Sequence, residues 1–189
     1  MKIHILIGLM AAGGLLTSCK PDDSIAQAKE QSIQQFEEAG ISNMENDALF
    51  AAEAASANLL QIELGRAAME KAVSPEVKQL AEQLANDHRQ MQDDLETLAS
   101  QTHLVLPDAL GDAHREIYEE ITTKSGIGFD LAYISTMEEQ HEDMVRRYED
   151  MAENGVSMEV KQYASKQLPL LRQHLEKASA LEDLVNEAS

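Results

Sequence analysis

Four runs of the chain place an apolar or small residue at alternating steps of three and four, a spacing that suits long helices packed side by side. On the second run this seam is Val77, Ala81, Leu84, His88, Met91, Leu95 and Leu98. On the third it is Ile134, Met137, His141, Met144, Tyr148 and Met151. The fourth carries Val160, Ala164, Gln167, Leu171, His174, Ala178, Leu181 and Val185, and the first offers Phe50, Ala54, Ala57, Gln61, Leu64 and Ala68. Ala, Leu, Glu, Gln and Met dominate from residue 45 onward. All are good helix formers, and no strand-like alternation interrupts them. The expected class is all-α.

Capping residues set the boundaries. The first helix is expected from Asn46 to Val73. Ser74 caps the second, with Pro75 at its first position, and the run reaches Gln101. The third spans Gly128 to Asn154 and stops at Gly155. The fourth opens at Ser157 and continues to Glu187, with Pro169 predicting a kink or local break. The two openings repeat: Ser74, Glu76, Val77, Lys78, Gln79 and Ala81 recur 83 residues later as Ser157, Glu159, Val160, Lys161, Gln162 and Ala164. Related hairpins explain this, and shared capping chemistry explains part of it. The segment between the hairpins can cross the full height of a bundle, with Asp108 capping a short helix that sets Leu110, Ile117 and Ile121 on one side. Two hairpins joined by one long crossover make the ferritin-like four-helix arrangement. The domain is assigned to residues 45–189, preceded by a flexible polar tether over 19–44, transiently helical between Ile25 and Phe36.

Three helices each place one histidine mid-seam, and the first places Gln61 there. Counting from the hairpin turns at about 1.5 Å per residue, Gln61 and His88 lie about 20 Å from one turn, and His141 and His174 about 25 Å from the other. With the turns at opposite ends of a bundle about 42 Å tall, the four positions meet near mid-height. Neutral imidazoles are good ligands for iron, zinc or copper. Three from separate helices, completed by a carboxylate or water, make an open site for one transition metal. Glu138 stands three residues before His141 and Glu63 two after Gln61, and both are candidate carboxylate ligands. A di-iron centre needs two Glu-x-x-His units, but Ala85 and Leu171 precede the other histidines. The competing reading is a metal-free histidine layer hydrogen-bonded to itself, to Gln61 or to water. His114 is assigned to packing or capping, and His103 to loop surface. No nucleophile elbow, phosphate loop or catalytic cysteine appears. An enzymatic role has no residues assigned to it.

A formal charge of −19 disfavours nucleic acid, whose phosphates require clustered Lys and Arg. Residues 1–18 have the basic start and apolar core of a signal peptide. Leu16 to Cys19 resembles a bacterial lipoprotein processing box, so Cys19, the single cysteine, is assigned to lipid attachment. Lys20 in place of Asp suggests transfer to the outer membrane, and "KPDD" resembles the acidic tract of surface-exposed lipoproteins. The expected location is the outer membrane or cell surface, facing the periplasm or exterior.

The blocks "QIELGRAA", "SPEVKQLAEQLANDHRQ", "LVLPDALGDAHRE", "GFDLAYISTMEEQHE" and "LPLLRQHLEKA" resemble, in order, those of a bacterial family known as domain of unknown function 4142. The resemblance implies a ferritin-like fold, export or lipid anchoring, and motif positions for His88, His114, His141 and His174. It implies no established activity. The family pattern commonly has an acidic residue where this chain has Gln61, which removes a negative ligand from the core. Glu63 compensates only if the first helix turns it inward. Two functional classes follow: a lipid-anchored domain binding one metal ion, or a metal-free helical module binding another envelope protein or maintaining the envelope under stress.

Overall fold

A computed structural model describes residues 23–187, with side chains through residue 184. The expected signal peptide and Cys19 lie outside the described residues. The described chain contains six helices: α1 (Ser24–Glu38), α2 (Glu45–Lys71), α3 (Pro75–Gln101), α4 (Asp112–Thr122), α5 (Ile127–Asn154) and α6 (Met158–Glu187). There is no strand among the described residues, and none of these helices is long and apolar enough to cross a membrane.

The two hairpin turns are built alike. Ser74 Oγ accepts from the amides of Glu76 and Val77, and Ser157 Oγ from that of Val160. Each turn is also held by a buried aspartate from the other hairpin. Asp130, at the start of α5, accepts from the amides of Val73 and Ser74 at 2.8–3.2 Å. Asp47, at the start of α2, accepts from those of Val156 and Ser157 at 3.0 and 2.7 Å. The two aspartates are themselves 83 positions apart (130 − 47), so the repeat seen in the helix openings extends to residues through which the halves clamp each other. These contacts also fix the register. Val73 faces Asp130 and Asp47 faces Val156, so α2 and α5 run antiparallel with facing positions that add to 203.

Close packing sets the spacing within the first hairpin. A Cβ on Gly65 of α2 would lie 2.7 Å from the Ala85 side chain of α3 and 2.9 Å from the Ala81 carbonyl oxygen. The apolar core falls into two clusters. One gathers Phe50, Met91, Leu95, Met144, Tyr148 and Leu171. The other gathers Leu60, Leu64, Leu84, Phe129, Met137 and Ala178. On α3, α5 and α6 the chain passes from one cluster to the other across a single buried histidine.

Two expectations need correction. The described part of the tether is not flexible coil: Ser24–Glu38 is a helix docked on the domain, with Ala28, Ser32 and Phe36 buried. Its polar residues are used as fasteners. Asp23 caps α1 through the Ala26 amide and also accepts from the Asp112 amide at the start of α4. Ser32 Oγ accepts from the Val105 amide at 2.8 Å. Asp23, rather than Asp108, therefore caps the crossover helix, which begins at Asp112. Of the kink or local break expected at Pro169, the break does not occur, since α6 is continuous through it. His103 is exposed, as expected for loop surface. His114 packs, with Ser56 Oγ 2.6 Å from its Nδ1 while the same oxygen accepts from the Gly111 amide.

Candidate metal centre

His88, His141 and His174 meet between the two apolar clusters. All three are fully buried. Their ring centroids are 5.2–5.4 Å apart, and one nitrogen from each ring lies within 4.8 Å of the others. His88 Nε2 and His141 Nε2 are 3.2 Å apart.

The protonation of each ring follows from groups that can only accept a hydrogen bond. The Nδ1–H of His141 donates to the Met137 carbonyl oxygen at 2.7 Å, which leaves its Nε2 bare. The Nε2–H of His174 donates to the Asp87 carboxylate at 2.9 Å, which leaves Nδ1 bare, and that buried atom has no partner. His88 is fixed by a longer chain. Gln92 Nε2 donates to the Glu96 carboxylate at 3.0 Å, so Gln92 turns its oxygen toward Asn58. Asn58 Nδ2 donates to that oxygen at 3.4 Å, so the Asn58 oxygen faces His88. His88 Nδ1–H then donates to Asn58 Oδ1 at 2.9 Å, and its Nε2 is bare. Each ring spends its one proton on an acceptor outside the trio, which leaves one bare nitrogen on each ring.

A shared proton is a poor way to separate those lone pairs. Burial, reinforced by His141 and His174, holds His88 well below the usual histidine range. Burial and His174 push His141 down to about 3, against the opposing pull of the Met137 carbonyl. His174 is also lowered by burial, although Asp87 works the other way. His88 and His141 present a pair of nitrogens spaced for a divalent ion. At a metal–nitrogen length of about 2.0–2.1 Å, tetrahedral ligands stand about 3.3–3.4 Å apart, close to the 3.2 Å between His88 and His141. The outward bonds to a carbonyl, a carboxylate and an amide are the partners that metal-binding histidines normally have.

The structure does not bring the two glutamates to this centre. Glu138 is partly exposed and turned to the α5–α6 surface. Hydrogen bonds from Glu182 and then Ser179 lower it, and Glu182 is correspondingly raised. Glu63 lies in the groove between α2 and α4 with Arg66, Lys71 and Tyr118. A carboxylate solvated at the helix edge avoids the cost of burial. No Cys, Asp or Glu joins the three histidines among the described residues. Sequence reasoning missed Asn58, Asp87, Gln92 and Glu96. Their one available signal was helical spacing, since Gln92 and Glu96 stand one turn apart and Asp87 adjoins His88.

The structure resembles that of a DUF305 fragment from Deinococcus radiodurans, with a TM-score of 0.64 and 12% identity over 73% of this chain and 95% of that one. The likeness is one of helical fold. No curated protein is significantly similar to the chain. The family model described as Domain of unknown function (DUF4142) matches residues 26–181, covering the docked first helix as well as the hairpins and the histidine layer. The chain is a member of the DUF4142 family.

Proposed function

We propose that this protein is a lipid-anchored cell-envelope protein whose ferritin-like bundle holds one transition metal ion through His88, His141 and His174. One observation carries the reading: three buried imidazoles give their protons to acceptors outside the trio, and one nitrogen from each ring lies within 4.8 Å of the others. Iron, zinc and copper all accept such a donor set. The ferritin-like description is supported by two hairpins joined by the long segment that contains α4. Lipid attachment at Cys19 and an outer-membrane or surface location rest on the sequence around Leu16 to Cys19.

The untagged chain, purified and analysed for elements, is expected to carry about one metal ion per chain. His88→Ala and His141→Ala should each abolish it. Absence of metal, together with an unchanged melting temperature on adding zinc, copper or iron, would refute the metal reading. Cys19→Ser should move the protein from the membrane fraction to the soluble fraction, and an unchanged distribution would refute lipid attachment. A metal-free interaction module gains some support from apolar side chains exposed near the first hairpin turn, Val73 and Ile127. That reading leaves the bare His174 Nδ1 unexplained.

A further inference from the structure

Gln61 is fully buried, and neither its amide oxygen nor its amide nitrogen has a hydrogen-bond partner. Buried amides are nearly always paired, so a side chain with both ends unpaired calls for a missing partner. Its position indicates where that partner sits. The α2–α5 register places Gln61 level with Glu142, next to His141. It also follows Asn58 by three residues, which puts it on the helix face that already touches His88. Gln61 and His174 are two of the three side chains with unpaired buried polar atoms among the described residues, the third being Tyr133 through its Oη.

Three neutral imidazoles leave a bound cation one ligand short of tetrahedral and leave its charge uncompensated. The anion nearest the trio in the hydrogen-bond network is Asp87, which lies on the far side of the His174 ring. Direct ligation by the Gln61 oxygen would add no negative charge and would leave its amide nitrogen unpaired in the core. A small ligand between the ion and Gln61 gives the ion a fourth ligand and the amide a partner, and an anionic one also offsets the charge. It supplies the fourth donor atom and accepts a hydrogen bond from Nε2.

We infer that an ion held by His88, His141 and His174 keeps its fourth position for a small inorganic ligand, water or an anion no larger than azide, which the Gln61 amide hydrogen-bonds. This inference rests on the metal reading above. Gln61 acts as a positioning residue for the exogenous ligand, and the centre is an open one that binds small anions.

Cobalt(II) is the probe, because its visible absorption bands report coordination number and ligand exchange. The full untagged chain is loaded with one equivalent of cobalt(II) and titrated with azide. The wild type should show four-coordinate bands that shift as azide replaces water. Gln61→Leu should take up cobalt and bind azide at least tenfold more weakly. Gln61→Glu should place its own carboxylate on the ion, so that azide no longer shifts the bands. Wild-type bands indifferent to azide would overturn the inference, as would equal azide affinity in Gln61→Leu. If Gln61→Leu fails to fold, an undiminished azide response in Gln61→Glu overturns it. Failure of the wild type to bind cobalt at all would instead sink the metal reading, and this inference with it.

Discussion

A neutral imidazole has one proton and two nitrogens, so the partner of one nitrogen decides what the other can do. Here a backbone carbonyl, the Asp87 carboxylate and the Asn58 oxygen take all three protons. The convergence of His88, His141 and His174 was legible because each sits on its helix seam at a countable distance from a turn. The supporting groups were not legible, because Asn58, Asp87 and Gln92 matter through their amide or carboxylate orientation. Glu138 misled for a related reason: three-residue spacing puts it on the histidine's side of α5, but its charge is better solvated beside Glu182. The same burial gives a pH dependence. The folded state keeps these histidines neutral, with His141 lowered to about 3, whereas the unfolded chain protonates them near pH ~6.5. Their contribution is therefore fully present above that pH and lost as pH falls below it. The slope is up to roughly 1.4 kcal/mol per pH unit for each histidine. Urea unfolding of the metal-free chain at pH 7.5 and 5.5 should show lower stability at 5.5, with a smaller difference in His141→Leu. Equal midpoints at the two pH values would contradict this account.

Helix ends and helix contacts carry the next level of organisation. Serine caps and proline at a first position announced α3, because capping chemistry is local. Asp47 and Asp130 were not identified as caps, since each serves a turn 109 and 57 residues away in sequence. The 83-residue repeat is also informative where it fails. The counterparts of His141 and His174 in the first half are Asn58 and Met91. Asn58 holds the third histidine instead of being one, so the histidine layer departs from the symmetry of the scaffold. Asp130→Ala should strand two part-buried amides and cost roughly 1–3 kcal/mol, and Asp47→Ala should cost a similar amount at the other end. Thermal unfolding checks both, and a change under 1 °C in either would remove the reciprocal clamp from the argument. Gly65→Ala tests the α2–α3 contact. Alanine ordinarily favours a helix by about 1 kcal/mol over glycine. Here its methyl would meet Ala85 and the Ala81 carbonyl oxygen, and the overpacking cost of roughly 1–3 kcal/mol should prevail. A raised melting temperature would show that the two helices can separate without penalty.

Across the whole domain, a polar layer divides one apolar core into two clusters. Dry hydrophobic packing would stabilise the same helices at least as well, so three fully buried imidazoles and an unpaired Gln61 call for a role other than stability. α1 shows the limit of composition as a guide. Its Gln- and Ser-rich sequence suggests a tether, but Asp23 and Ser32 accept from amides of the crossover segment and dock it. Only the fold supplies those partners. The central claim is that three bare imidazole nitrogens face one another in the metal-free core and close on a single ion. Long-range proton–nitrogen NMR of the metal-free chain measures it directly. His88 and His141 should carry their protons on Nδ1 and His174 on Nε2, and one equivalent of zinc should shift all three unprotonated nitrogens together. A proton on any of the inward nitrogens, or zinc that moves fewer than three of them, would contradict the account.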